Sequence, residues 1–85
     1  MKRITINGKE LSSPKAIHAS LKTAMPFPEH YGENLDALYD ALTEISEPVC
    51  IAVENSADAK AFLGEYWLRF VEVVTDADTV RLLLM

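Results

Sequence analysis

Four acidic residues in the middle of the chain recur at the spacing of one helical face. They are Glu33, Asp36, Asp40 and Glu44. At about 100° per residue they fall within about 80° of one another, and leucines occupy the opposite side. A helix face selected for stability would place a lysine four residues after an acid, whereas these acids repel one another by ~0.2–0.5 kcal/mol per pair. The pattern favours a carboxylate surface that binds cationic groups of a partner, with an ordinary solvated face as the alternative.

The charge distribution along the chain indicates the same class of partner. The net charge is −5, yet the first 22 residues contain five bases and one acid. No Lys or Arg occurs between Lys22 and Lys60, and that segment contains eight acids. Direct binding to DNA or RNA is disfavoured, because phosphates need cations to bind them. A basic protein is the better match for this surface.

Aromatic side chains accompany the acids. His30 and Tyr31 lie just before the predicted acidic helix, and Tyr39 lies beside the acidic stripe. Acids that supply charge and tyrosines that supply contact area are typical of a protein–protein interface, although a single tyrosine is more often a packing residue. Glu72 and Asp76 form a second acidic pair, which contributes only if the fold places it beside the acidic helix.

Sequence motifs of catalysis and metal binding are absent. The two histidines and the single cysteine do not have the spacing of a zinc site, and neither a glycine-rich phosphate loop nor a Gly-x-Ser-x-Gly motif occurs. Cys50 lies within an apolar segment, where a thiol is usually an inert packing group. His18 is predicted at the flank of its helix. We therefore predict that the protein is not an enzyme and binds no metal or cofactor.

Apolar periodicity and capping residues define the helices that position these side chains. The predicted helices cover residues 14–24, 35–44, 57–63 and 66–76. Ser13, Asn34 and Ser56 are the predicted caps of the first three helices, because their side chains can accept from free backbone N–H groups. Pro14 suits a first helical position, and Gly64 is expected to end the third helix.

Three segments have the pattern of β-strands, at residues 2–6, 49–53 and 79–84. The middle one is nearly all apolar, as expected of a central strand buried on both faces. Asn7 and Gly8 predict a tight turn after the first strand. Because helices separate the strands, the sheet is expected to be parallel. The sequence thus predicts one α/β domain over residues 1–85, with a three-stranded parallel sheet packed with helices.

The compartment and assembly state are also predicted from composition. The apolar run after the basic N-terminal residues is only three residues long, too short for an export signal, and no segment approaches the length of a membrane span. One cysteine excludes an internal disulfide and suggests a reducing compartment. We expect a cytoplasmic protein that does not bind membranes and is a monomer when free.

Residues 30–43, with the sequence HYGENLDALYDALT, resemble the signature of the barstar family, intracellular inhibitors of barnase-type ribonucleases. The resemblance implies a three-stranded parallel sheet packed on helices. It also implies that the loop and the acidic helix plug the basic active site of a small ribonuclease. By position in the motif, Asp40 resembles the residue that mimics an RNA phosphate, and Asp36 resembles the second acid of the helix.

The acidic stripe, the aromatic residues and the resemblance together define one predicted partner-binding site. Its residues are His30, Tyr31, Gly32, Asn34, Leu35, Asp36, Tyr39, Asp40, Glu44, Glu72 and Asp76. His30 stands where the best-known family member has a tyrosine, and Tyr39 replaces a tryptophan, so the partner is expected to be a different ribonuclease of the class. The resemblance further predicts a cis peptide bond between Glu47 and Pro48.

The main interpretation is an immunity protein of a toxin–antitoxin pair, which inhibits a barnase-like ribonuclease in the cell that makes it. A second interpretation is a non-inhibitory acidic module that binds another basic protein. A third is a small hydrolase or metal protein, and a fourth is a purely structural subunit. Inhibition of RNA cleavage would support the first interpretation. Enzymatic turnover that depends on a histidine would support the third. An unchanged phenotype after the acids are neutralised would support the fourth.

Overall fold

Strands and helices follow one another along the chain. The structure is a computed structural model that describes residues 1–85. The strands are β1 (Lys2–Asn7), β2 (Val49–Glu54) and β3 (Val80–Leu84). The α-helices are α1 (Pro14–Ala24), α2 (Leu35–Thr43), α3 (Ser56–Leu63) and α4 (Glu65–Asp76), and a 3-10 helix (Gly8–Glu10) follows β1. The predicted order of elements is confirmed, with each boundary within one residue of its predicted position.

β2 is the central strand of a parallel sheet with the strand order β1-β2-β3. In register, Ile4 lies opposite Ile51, and Ile51 lies opposite Leu82. Ile4 and Ile51 are buried in the core with the helices, and alternate strand residues point to the other side of the sheet. The predicted α/β fold with a three-stranded parallel sheet is therefore confirmed.

The outer side of the sheet faces away from the hydrophobic core that the sheet shares with the helices. It carries Arg3, Cys50 and Arg81 in one row across the three strands, and both arginines are exposed. Cys50 is a free, half-buried thiol, whereas Ala52 on the same side is fully buried. The prediction that residues 49–53 are buried on both faces therefore holds except at Cys50.

The helices that flank the candidate site begin where their caps predict. The Ala16 N–H donates to Ser13 Oγ over 3.2 Å at the start of α1, and the Ala37 N–H donates to Asn34 Oδ1 over 2.8 Å at the start of α2. The prediction for α3 was wrong in detail. Asn55 takes the cap position with a left-handed φ of 53°, and Ser56 Oγ donates instead to the Met85 carbonyl.

One hydrophobic core joins the inner side of the sheet to α1, α2 and α4. Fully buried members include Leu38 and Leu42 of α2, Phe70 and Val74 of α4, and Ile51 of β2. Since burying a side chain of this kind contributes ~1.5–3 kcal/mol, these contacts fix the rotation of each helix about its axis. No helix has the length and apolar character needed to cross a membrane.

A cis peptide bond was predicted before Pro48, and this prediction was wrong. The Glu47–Pro48 bond is trans, since the chain contains no cis peptide bond. A trans bond before proline is favoured by ~0.5–1 kcal/mol, and the paired strand that begins at Val49 is reached without a cis bond. The tight turn predicted at Asn7 and Gly8 takes the form of the 3-10 helix that begins at Gly8, with the Asn7 side chain accepting from the Lys9 N–H over 3.0 Å. A Cβ at Gly8 would lie 2.1 Å from the Asn55 carbonyl oxygen, so glycine allows the close approach of two backbones there.

Candidate partner-binding site

Helix α2 presents its carboxylates to solvent because its leucines are buried. Leu38 and Leu42 are fully buried, so the helix is held with Asp36 and Asp40 on its exposed side. Glu44 follows the last helical turn as the C-cap and donates its backbone N–H to the Asp40 carbonyl. The predicted amphipathic helix and its acidic side are thus present in the structure.

Helix α4 brings one further acid to this side of α2. A shallow groove between the two helices is lined by Leu35, Asp36, Tyr39, Asp40, Val73 and Asp76. Tyr39 is 42% exposed, and Leu35 and Val73 form an apolar floor beneath the carboxylates. Asp76 therefore joins the predicted site.

The structure separates Glu72 from Asp76. Glu72 lines a different depression, which it shares with Lys60, Trp67 and Leu84 at the end of β3. The two acids lie four positions apart on α4, and only Asp76 contributes to the groove beside α2. Glu72 is not brought together with the other predicted residues.

The segment before α2 forms the other side of the site, and we call residues 28–34 the binding loop. A second depression is lined by Pro28, His30, Tyr31, Gly32, Ala37, Asp40, Ala41 and Glu44. Asp40 lines both depressions and so lies between the binding loop and α4. We call the group of Asp36, Asp40, Glu44 and Asp76 the acidic surface.

No cation of the protein neutralises the acidic surface. The only ion pair within 4.0 Å joins Arg69 to Glu65 on an exposed part of α4. The carboxylates therefore keep their charge available for groups from outside the molecule. No group of three His, Cys, Asp or Glu side chains is arranged to hold a metal ion.

The binding loop has an unusual backbone at Glu33. Glu33 has a left-handed φ of 51°, a conformation that costs a residue with a side chain ~1–2 kcal/mol. It precedes the Asn34 cap, so it is not part of the α2 helical face as the spacing predicted. The Asn34 amide donates to the Gly32 carbonyl over 3.2 Å, and a Cβ at Gly32 would lie 3.2 Å from that of Ala37. Loop and helix are therefore closely packed where they meet.

Tyr31 and His18 both lie in the interior. The sequence had predicted that Tyr31 contacts a partner at the surface and that His18 lies at the flank of its helix. Tyr31 is 6% exposed and His18 is fully buried. The His18 Nδ1 and Tyr31 Oη atoms are 2.5 Å apart, and the His18 Nε2 and Tyr66 Oη atoms are 2.7 Å apart. Tyr31 thus offers little surface to a partner and instead holds the binding loop to the core.

Burial shifts the acid–base properties of these three side chains. Desolvation lowers the pKa of His18 below its ordinary value of 6.5, and the nearby Glu33 carboxylate opposes this in part. Burial raises the pKa of both Tyr31 and Tyr66. The three groups are therefore neutral near pH 7, and they form neutral hydrogen bonds.

Sequence reasoning missed the contacts that join Tyr31 through His18 to Tyr66. The signal for His18 was its position three residues before Leu21, on the side of α1 that is buried. No local pattern marks Tyr66, whose contact with His18 joins residues on α4 and α1.

Comparisons with known proteins identify the family of the chain. The family model described as Barstar (barnase inhibitor) matches residues 1–81. A Bacillus subtilis (strain 168) protein named "Putative ribonuclease inhibitor YrdF" is 36% identical over 78 residues, which are 91% of this chain and 86% of that protein. The resemblance first seen in residues 30–43 thus extends over nearly the whole sequence, and the chain belongs to the barstar family.

Proposed function

We propose that this protein inhibits a small basic ribonuclease of the barnase type by covering its active site. The barstar family is a family of inhibitors and not of enzymes, which agrees with the prediction of a non-enzymatic protein. A relative of similar length is named as a ribonuclease inhibitor. The proposal therefore places the binding loop and the acidic surface against the cationic groups that a ribonuclease uses to bind RNA.

Asp40 is proposed to occupy the position of an RNA phosphate. A ribonuclease site binds phosphate with Arg, Lys and His side chains, and a carboxylate can accept paired hydrogen bonds from a guanidinium in the same way. Asp40 lies on a helix whose rotation is fixed by buried leucines. The direction in which this side chain leaves the helix is consequently set before binding, which reduces the entropy lost on association.

The observation that carries the proposal is the convergence of unpaired carboxylates on one groove. Asp36 and Asp40 come from α2, Asp76 comes from α4, and none of them has a cationic partner within the chain. Like charges held together in this way destabilise the free protein slightly. A basic partner relieves that repulsion and gains from it during diffusional encounter.

The rim of the site is proposed to select among ribonucleases. His30 and Tyr39 are exposed on opposite sides of Asp40, one on the binding loop and the other on α2. Gly32, Asn34 and Leu35 complete the surface where loop and helix meet. Glu72 has at most a peripheral part, because it faces a different depression.

The test is cleavage of RNA by a barnase-type ribonuclease with increasing amounts of this protein, at low and moderate salt. Stoichiometric inhibition that weakens as salt rises is expected, because the encounter is driven by opposite charges. Asp40→Ala should weaken binding by ~2–5 kcal/mol, the cost of leaving a buried cation of the partner unpaired. Glu10→Ala, which removes an exposed acid outside the site, is the matched control and should leave inhibition unchanged.

Equal losses for Asp40→Ala and Glu10→Ala would contradict the phosphate-mimic role. Absence of inhibition, together with capture of a basic partner that is not a nuclease, would support a non-inhibitory acidic module instead.

The proposed inhibitor is a monomer when free. It acts in the cytoplasm of the cell that makes the ribonuclease, as the immunity protein of a toxin–antitoxin pair. Sedimentation of the free and bound protein tests the monomer and the 1:1 complex.

A further inference from the structure

We propose that Tyr66 is a positioning residue for the binding loop, and that it acts through His18 on the hydroxyl of Tyr31. The inference rests on the proposed function, because it gives a role in partner binding to a residue outside the binding surface. Tyr66 lies on α4, His18 on α1 and Tyr31 in the loop, so the chain of contacts crosses three separate parts of the fold.

The binding loop is fixed to the protein interior by one side chain. Among residues 28–34, only Tyr31 is buried, and the residues on both sides of it are exposed. The Tyr31 ring centroid lies 4.8 Å from that of Phe27, and its backbone N–H donates to the Pro28 carbonyl. These contacts are local, whereas the contact of the Tyr31 hydroxyl with His18 joins the loop to a different element. The position of the loop therefore depends on where His18 holds this hydroxyl.

Burial determines the direction of the hydrogen bonds. His18 is the only hydrogen-bond partner of the Tyr31 hydroxyl, which is buried away from water. The hydroxyl therefore donates its proton to His18 Nδ1, because a buried donor without a partner costs ~1–3 kcal/mol. A neutral histidine that accepts at Nδ1 carries its proton on Nε2 and donates from there.

Tyr66 is the group that receives this second proton. Its hydroxyl lies 2.7 Å from His18 Nε2 and accepts from it. Tyr66 is only half-buried, so its own hydroxyl proton can be donated to solvent. Tyr66 thus stabilises the one tautomer of His18 that can accept from Tyr31, and the loop hydroxyl is held in place as a result.

A loop held in its bound conformation loses less freedom when a partner binds. Loss of the Tyr66 hydroxyl should therefore loosen the binding loop and speed dissociation from a ribonuclease, without changing any charge on the acidic surface. The association rate should stay the same, because long-range steering depends on those charges.

The experiment compares Tyr66→Phe with the wild-type chain, first as the free protein. Nitrogen-15 NMR of the His18 ring should show a protonated Nε2 and an unprotonated Nδ1 in the wild type, and a shift towards mixed tautomers in Tyr66→Phe. Amide hydrogen exchange at Tyr31 should become about three- to tenfold faster, the factor expected for loss of one neutral hydrogen bond. With a barnase-type ribonuclease, the dissociation rate should rise by a similar factor of about three to ten.

Two further variants separate positioning from general destabilisation. Val71→Ala removes packing from a half-buried residue of the same helix that lines a different depression. It should leave the His18 tautomer and the loop exchange unchanged. In a Tyr31→Phe background, Tyr66→Phe should add nothing to the dissociation rate, because the route from Tyr66 to the loop passes through the Tyr31 hydroxyl.

Three results would overturn the inference: an unchanged His18 spectrum and loop exchange in Tyr66→Phe, the same loop effect in Val71→Ala, or additive effects in the Tyr31→Phe background. Failure of the wild-type chain to inhibit any barnase-type ribonuclease would instead contradict the proposed function. The measurements on the free protein would still decide whether Tyr66 positions the loop.

Discussion

Helix α2 and the binding loop supply adjacent halves of one surface, but they are held in place in different ways. α2 is fixed by a stripe of side chains, with Leu38 and Leu42 fully buried. The loop has a single buried residue, Tyr31, whose hydroxyl depends on a histidine from another helix. The orientation of the helix is therefore set by many apolar contacts with the common core, and that of the loop by a few contacts of one side chain.

This difference has consequences for how each half tolerates substitution. Loss of one leucine weakens α2 together with the whole fold, because the same side chain is part of the common core. Loss of the hydroxyl contact of Tyr31 removes no apolar side chain from the core, so we expect it to change mainly the order of the loop. We expect effects of decreasing size on stability from a substitution in α2, a substitution in the loop and a change of pH.

The largest effect is expected when an anchor of α2 is removed. Leu42→Ala should lower the free energy of unfolding by ~2–5 kcal/mol, from lost burial and the cavity left behind. Urea denaturation followed by circular dichroism measures the loss. Leu68→Ala on the exposed side of α4 is the control and should change stability little. A small loss for Leu42→Ala would show that α2 is not held by its leucines.

A smaller effect of opposite sign is expected in the loop. Glu33→Gly removes the strain of the left-handed conformation at that position. Part of this gain in stability is lost, because glycine gives the unfolded chain more conformational freedom. The free energy of unfolding should rise by roughly 0.5–1 kcal/mol. Glu33→Gln removes the same charge and keeps the backbone strain, so it should not stabilise the protein. Equal stability of the two variants would contradict the assignment of strain to Glu33.

The smallest effect is a dependence of stability on pH through His18. Its pKa is lowered by burial in the folded protein, so between that value and 6.5 the unfolded chain binds more protons than the folded one. The contribution to stability is complete above pH 6.5 and is lost as the pH falls below it. Urea midpoints at several pH values between 5 and 8 measure this loss. Stability that instead rises as the pH falls through this range would be inconsistent with a neutral His18 in the fold.

Much of the fold was predictable because its causes are local. Ser13 and Asn34 cap their helices through side chains that reach only three residues along the chain. The leucine stripe of α2 predicted which side of that helix is buried. The helices between successive strands predicted that the sheet is parallel. The acidic surface followed from the same periodicity, apart from Asp76.

The rest depended on contacts between distant elements. Asp76 and Glu72 look equivalent in the sequence, and only the packing of α4 in the fold places Asp76 in the groove beside α2 and Glu72 in another depression. His18 was assigned to a helix flank because its two tyrosine partners lie in other elements. The expected cis bond before Pro48 came from the family resemblance and from no residue contact, and it was wrong.

The row of Arg3 and Arg81 on the outer side of the sheet has a consequence for the molecule as a whole. These two positive charges lie on the sheet side of the core, and the acidic surface lies on the helix side. This separation contributes to an electric dipole moment between the two sides, in addition to the net charge of −5. In the field of a cationic partner, such a dipole experiences a torque that turns the helix side forward. The search for the productive orientation then begins before the two surfaces touch.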